Sequence, residues 1–143
     1  YEGGIKVPAI FYWPSIVGEG KTYNQITSIM DISPTISQIS DTRLTENEMD
    51  GESLLPLLLG KDFAGHESLF WFFRRDGAIR KGRWKLVSDK GDLELYDMEK
   101  DPLESKNLSK EYPNKVKELN NKLKLMHQHA EREFKDAIRS NDL

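Results

Sequence analysis

The sequence predicts an α+β fold, in which an antiparallel sheet of about four strands packs against one long C-terminal helix. The turn sequence Asp89-Lys90-Gly91-Asp92 predicts a hairpin, because glycine adopts the positive φ of a tight turn and aspartate hydrogen-bonds the turn backbone. Toward the end of the chain, apolar residues recur at steps of three and four, which is typical of an amphipathic helix. A helix with a single apolar stripe that follows such a sheet lies across one of its faces.

The predicted strands are short runs separated by turn residues. Asp101-Pro102 ends the series, because proline cannot donate a hydrogen bond to a strand ladder. The helix begins at Pro113, a residue that suits the first helical position. The predicted strands are Ser68–Phe73, Ala78–Arg80, Trp84–Ser88 and Leu93–Met98, and the helical stripe contains Val116, Leu119, Leu123, Met126, Ala130, Phe134, Ala137 and Ile138.

The region before the sheet has a different character. Ile5–Pro14 is almost continuously apolar and does not alternate, which predicts a strand covered on both faces inside a parallel sheet. A helix is predicted over Ser33–Ser40, and a short buried helical turn within Ser53–Leu59. Because the chain offers the strand no neighbour of its own type, we expect residues 1–60 to be the end of a larger α/β domain and residues 61–143 to form the sheet-and-helix subdomain. Without those neighbours, residues 1–40 should expose apolar surface.

Composition argues against several classes of function. The 143 residues carry 21 Lys and Arg against 24 Asp and Glu, a net charge of −3, which is too mild to indicate a nucleic-acid or membrane-surface partner. A charged share of 31% and a mean hydropathy of −0.66 argue against a membrane protein. The absence of cysteine excludes disulfides and thiol catalysis within these residues. Since the chain opens at Tyr1 and not at Met, we interpret it as a processed or excised piece.

Candidate catalytic and metal-binding residues are few. No metalloprotease, nucleotide-binding or serine-hydrolase motif occurs, and we predict no catalytic or metal-ligating residue in this chain. His66 lies in a loop before a strand, where it either contacts substrate or is a surface residue. His127 and His129 are two residues apart, so on a helix they cannot share a metal and are expected to be solvated. Four aspartates lack the spacing of a calcium loop and are interpreted as turn residues: Asp89, Asp92, Asp97 and Asp101.

A cluster of cations is the main candidate for binding. Arg74-Arg75-Asp76-Gly77 should form a hairpin tip, and loop arginines can hold a sulfate or phosphate through two parallel hydrogen bonds. The alternative is that the cations are solvated strand residues and a charged edge that blocks strand pairing. A single-stranded nucleic-acid platform is disfavoured, because the spacing of the nearby aromatics places at least half of them in the core. The cluster contains six cations in twelve residues: Arg74, Arg75, Arg80, Lys81, Arg83 and Lys85.

Five segments, in order along nearly the whole chain, resemble the C-terminal part of formylglycine-dependent sulfatases. Each segment is a weak indicator alone, but the ordered series is a strong one. The second is similar to that family's "mDlxPT" helix start and the third to its "DGxSLLPLL" turn. The segments are Tyr1–Ala9 with Trp13-Pro14, Met30–Thr35, Asp50–Leu58, Arg80–Leu86, and Glu94–Asp97 with Asp101–Glu104 and Asn107-Leu108.

The resemblance implies a hydrolase of sulfate esters in the alkaline-phosphatase-like superfamily. In that family a Cys or Ser in C/S-x-P-x-R becomes a formylglycine nucleophile beside a bound Ca²⁺. This chain contains no such motif, so Ca²⁺ and formylglycine are expected in an N-terminal catalytic domain of the same polypeptide, and no cofactor is expected here. The resemblance also implies a sulfated glycan or aryl sulfate as substrate and a secreted, periplasmic or lysosomal location, while the composition argues against a nucleic-acid partner and a membrane span.

Three functions remain open on these grounds. The first is the C-terminal segment of a sulfatase, inactive on its own, with Arg74, Arg75 and His66 as candidate substrate-binding residues. The second is a non-catalytic module that binds sulfated glycans or another anion, which a salt-dependent glycan affinity of the isolated chain would favour. The third is part of a related phosphoester hydrolase, for which the residue that acts as nucleophile upstream would be decisive.

Overall fold

The computed structural model describes residues 1–42, 50–74 and 76–141. Within these residues, no helix is long and apolar enough to cross a membrane. The elements in chain order are α1 (Glu2–Ile5), a 3₁₀ turn (Ile29–Asp31), α2 (Ile32–Ile39), α3 (Leu55–Leu58), β1 (Leu69–Phe73), β2 (Asp76–Lys81), β3 (Trp84–Asp89), β4 (Asp92–Asp97) and α4 (Pro113–Asn141).

The chain divides into two compact units. The first, here called the sheet unit, joins Tyr1–Lys6 to the residues from Ser68 onward. The second, here called the Asp31 unit, contains Val7–Glu67. The functional division between residues 60 and 61 stays a prediction.

The antiparallel sheet and its hairpins are confirmed, except that Asp76 and Gly77, predicted at the tip of the first hairpin, pair with β1 as the first residues of β2. The strands lie in the order β1-β2-β3-β4, and Leu86 of β3 is opposite Ile79 on one side and Leu95 on the other. The turn between β3 and β4 places Lys90 at φ 50° and Gly91 at φ 93°. Two consecutive residues with positive φ match the twist of the flanking strands, which explains why this turn pins the register of the hairpin.

Helix α4 lies across one face of the sheet, as predicted. Leu119 and Leu123 pack with strand residues of the same face, namely Ile79, Leu86 and Leu95. Farther along the helix the stripe is open to solvent, with Phe134 exposed over 68% of its surface. The α+β fold class is therefore confirmed, and the first half of the helix supplies the core of the sheet unit.

The start of the chain contacts the other face of the sheet. That face presents Val87, Tyr96 and their neighbours as a second apolar cluster, and the ring of Tyr1 contacts Tyr96 edge-on with centroids 6.3 Å apart. The helical turn α1 therefore belongs to the sheet unit although more than sixty residues separate it from β1.

The prediction of a strand over Ile5–Pro14 is wrong. Glu2–Ile5 forms α1, closed by a hydrogen bond from the backbone N of Lys6 to the O of Glu2 at 2.8 Å, and residues 6–13 have no strand pairing. A strand exists only where a neighbouring strand completes its ladder, and apolar character alone does not supply that neighbour. Val7 and Ile10 are exposed over 72% and 93% of their surface, as expected for apolar residues without a covering layer. The helices predicted over Ser33–Ser40 and within Ser53–Leu59 are confirmed as α2 and α3.

Candidate functional site

Arg74 lies at the tip of the hairpin that joins β1 to β2. It has a φ of 58°, its side chain is exposed, and its guanidinium carbon lies 5.4 Å from the centre of the Phe73 ring. The backbone O of Arg74 is 3.1 Å from Nε2 of His127 on α4, which fixes the hairpin tip to the helix. Arg75, the second residue of the predicted site, lies outside the described residues.

For His127, the sequence predicts a solvated side chain. Its ring instead contacts the ring of Phe72 edge-on, with centroids 5.1 Å apart, in addition to the hydrogen bond to the hairpin. His129 faces solvent with 62% of its side chain exposed, in agreement with the prediction. The signal for His127 was its place one residue beyond the apolar stripe, on the side of the helix that meets the hairpin.

The five cations of the cluster that the structure describes do not form one anion-binding surface. Arg83 pairs with Asp97 at 3.1 Å, and Lys81 lies 4.0 Å from Glu118 on α4. Lys85 is completely buried, with its Nζ 2.9 Å from Oε1 of Glu2 and 2.7 Å from Oε1 of Glu104. Among the described members of the cluster, Arg74 is the one at the exposed hairpin tip, so the hypothesis of anion recognition rests on the tip.

The buried Lys85 joins the beginning of the chain to the sheet. The backbone N of Glu2 also donates to Oε2 of Glu104 at 2.6 Å. Glu2, Lys85 and Glu104 therefore form one polar cluster. Beside it, Glu94 accepts hydrogen bonds from the hydroxyls of Tyr1 and Tyr96. Burial raises the pKa of Tyr96, and the hydrogen bond to Glu94 raises it further. The Tyr1-Glu2-Gly3 motif is thus an anchoring segment of the sheet unit.

His66 lies in the Asp31 unit and is almost buried, with 9% of its side chain exposed. Its Nε2 is 2.7 Å from Oδ1 of Asp31, a carboxylate with no exposed surface. Asp31 also accepts the backbone N–H groups of Ser28 at 2.7 Å and Glu52 at 2.9 Å. These contacts favour a structural role for His66, in which it completes the hydrogen bonding of a buried carboxylate.

The same cluster explains why two of the sequence motifs occur together. A Cβ on Gly51 would lie 2.2 Å from the backbone O of Met30, so only glycine lets the Asp50-Gly51 turn approach the start of α2. Thr35 then receives the backbone N–H of Leu54 at 2.8 Å. The Met30–Thr35 and Asp50–Leu58 motifs are therefore two halves of one packed junction.

Of the four aspartates predicted to be turn residues, Asp101 is confirmed, whereas Asp97 is buried at the end of β4 and pairs with Arg83. Asp101 accepts the backbone N–H groups of Ser105 at 3.0 Å and Lys106 at 2.8 Å, and these hydrogen bonds hold the pKa of Asp101 below its usual value. Over the described ranges, no group of three or more His, Cys, Asp or Glu side chains is arranged to hold a metal ion. The residues that the structure describes thus do not fit a Ca²⁺ site.

The sheet unit is an antiparallel sheet with one long helix packed on one face and the N-terminal segment in contact with the other. The second compact unit is built around the buried Asp31. Residues 1–132 match the family described as N-sulphoglucosamine sulphohydrolase, C-terminal, and the chain belongs to that family. The resemblance to sulfatases that the five motifs indicated is therefore confirmed.

Relatives of known name agree with this assignment. The chain is 46% identical over 74 residues to arylsulfatase H of Homo sapiens, which covers 50% of this chain and 13% of that protein. It is 30% identical over 138 residues to arylsulfatase A of Homo sapiens, covering 76% of this chain and 27% of the relative. Among solved structures, BT1596, a 2-O GAG sulfatase, superposes with a TM-score of 0.54 at 30% identity, over 77% of this chain and 26% of that one. The chain thus spans between 13% and 27% of the length of these relatives.

Proposed function

We propose that this chain is the C-terminal segment of a sulfatase that hydrolyses sulfate esters of glycans or aryl alcohols. The observation that carries the proposal is the family match over residues 1–132, which includes all five motifs in their order. The formylglycine nucleophile and the Ca²⁺ belong, in this proposal, to an N-terminal catalytic domain of the same polypeptide. The proposal also places the whole protein in a secreted, periplasmic or lysosomal location.

The surface of the Asp31 unit supports such a partner domain. Many apolar side chains of this unit are exposed, although a packed protein normally buries such side chains. They lie in the segment that precedes the 3₁₀ turn, in the 3₁₀ turn itself and in α2. Apolar exposure on this scale is typical of a surface that another protein layer covers. The residues concerned are Val7, Ile10, Tyr12, Ile29, Met30, Ile32, Ile36 and Ile39.

The hairpin tip is the proposed point of contact with the substrate. Arg74 has its guanidinium exposed against the Phe73 ring, and its backbone is held by His127. A cation on a loop whose backbone is fixed from behind loses little freedom when it binds a sulfate group. We assign substrate recognition to Arg74 and Arg75, and a structural role to His66.

In the longer protein that contains this chain, replacing Arg74 and Arg75 with alanine is expected to lower kcat/KM on the sulfated substrate about 10- to 100-fold. This range corresponds to the loss of one or two charge-assisted hydrogen bonds. Because the arginines bind the substrate and do not take part in bond cleavage, most of the change should appear in KM.

Arg132→Ala is the matched control, since Arg132 lies exposed on α4. That variant should retain the parental kcat/KM and the parental thermal stability. An unchanged kcat/KM in the Arg74→Ala, Arg75→Ala double variant would remove the hairpin tip from the substrate site.

A further inference from the structure

An open cleft of about 190 Å³ lies beside the hairpin tip, between α4 and the ends of β1, β2 and β3. Its apolar wall is Phe72, exposed over 37% of its surface. Its polar wall comes from β2, β3 and α4 and contains Asp76, Ser88, Asn120, Lys124 and Gln128. The volume corresponds to a single small organic ring and its substituents.

The cleft is open because Gly77 forms part of its floor. A Cβ at this position would lie 2.8 Å from the backbone O of Trp71 and 3.2 Å from Cδ1 of Phe72. It would also be 3.5 Å from Cδ1 of Leu123, another lining residue, so a side chain here would intrude among the groups that line the cleft. On one side, His127 is held by the backbone O of Arg74 and by the Phe72 ring. The side of the cleft formed by Phe72 and His127 is thus held in place before any ligand arrives, which lowers the entropy cost of binding.

The lining favours a ligand that carries many hydroxyl groups. Asn120 and Gln128 each offer both a donor and an acceptor, and Ser88 offers a hydroxyl. Asp76 already accepts the backbone N–H of Lys90 at 2.8 Å, and an ionised carboxylate has further acceptor sites. The partly exposed ring of Phe72 in the same lining adds an apolar surface against which the C–H groups of a sugar ring can pack.

The charges of the lining favour an uncharged ligand. Apart from His127, the lining contains one carboxylate, Asp76, and one ammonium, Lys124, so their formal charges sum to zero and do not specifically favour a sulfate or a carboxylate. An aryl sulfate has no hydrogen-bond donor, so the amide and carboxylate oxygens of the lining would gain no partner from it, which costs affinity.

We propose that this cleft binds an uncharged pyranose unit of a glycan. The inference deepens the proposed function and rests on it for its biological role, because it selects glycans over aryl sulfates as the substrate class. The cleft takes a sugar ring that carries no sulfate, while the neighbouring hairpin tip binds the anionic part of the chain.

The test is a titration of the 143-residue chain, labelled with ¹⁵N, by uncharged methyl glycosides of glucose, galactose, mannose and N-acetylglucosamine. At least one glycoside should produce saturable amide shifts, with a Kd on the order of a few millimolar, as usual for a single small ring. The shifts should be confined to residues 72–77, Ser88 and the 120–128 stretch of α4. Asn120→Ala should weaken this binding at least about fivefold, whereas Asn121→Ala should not change it, because Asn121 is exposed and does not line the cleft.

Three results would overturn the inference: no saturable shift for any glycoside at tens of millimolar, shifts located elsewhere, or equal affinity in the Asn120→Ala and parental chains. Tighter binding of phenyl sulfate than of every glycoside in the cleft would overturn it as well. The spectrum of each variant reports directly whether it is folded. Since the titration involves no turnover, a negative result leaves the sulfatase proposal intact, and an inactive longer protein leaves the sugar site intact.

Discussion

Replacing Lys85 with methionine is expected to lower the free energy of unfolding of the sheet unit by about 3–5 kcal/mol, the usual result of removing one partner from a buried ion cluster. Glu2 and Glu104 would keep their charges with 13% and 3% of their side chains exposed, and no cation would remain between them. Part of the loss should appear as detachment of α1 from the sheet. The measurement is chemical denaturation followed by tryptophan fluorescence, because Trp84 is the neighbour of Lys85.

Two further variants make the interpretation specific. Lys110→Met makes the same chemical change at an exposed position and should alter the stability by no more than about 0.5 kcal/mol. Combining Lys85→Met with Glu2→Gln and Glu104→Gln removes both uncompensated charges, so it should recover a large part of the loss. A Lys85→Met chain as stable as the parent would mean that the buried cluster does not hold the N-terminal segment.

Replacing Asp31 with alanine is expected to lower the stability of the Asp31 unit by about 3 kcal/mol or more. The backbone N–H groups of Ser28 and Glu52 and the His66 ring would all lose their acceptor, a carboxylate that itself has no exposed surface. Each buried donor left without a partner costs about 1–3 kcal/mol. Amide hydrogen exchange resolves the effect by residue, and exchange at Ser28, Glu52 and Leu54 should accelerate.

Asp62→Ala is the control for this prediction, because Asp62 is an exposed aspartate of the same unit. It should leave the exchange rates of those amides unchanged. If Asp31→Ala also left them unchanged, the junction between the two motifs would not depend on the buried carboxylate.

The sheet and the long helix could be predicted from the sequence because their signals are local. The Lys90-Gly91 turn needs only the conformational preferences of its own residues, and the stripe of α4 repeats over several turns. Ile5–Pro14 could not be predicted in this way. Its apolar character describes what the segment can pack against, whereas a strand depends on a partner strand.

The polar clusters were harder to predict, because each depends on residues distant in the sequence. Lys85 looked like a solvated strand residue, yet Glu2, 83 residues away, and Glu104 turn it into the centre of a buried network. His66 is similar, since its partner Asp31 is 35 positions earlier. The position of Arg74 at a hairpin tip followed from the turn chemistry, whereas the contact of its backbone with His127 required the packing of α4.

The central claim is that these residues contribute to a sulfatase but do not carry out the reaction by themselves. The most direct measurement is the release of sulfate from sulfated glycans by the purified 143-residue chain, beside the proposed longer protein that contains it. We expect turnover by the longer protein and none by the chain at any concentration. Turnover by the chain that scales with its concentration, in a preparation free of contaminating enzyme, would contradict the account.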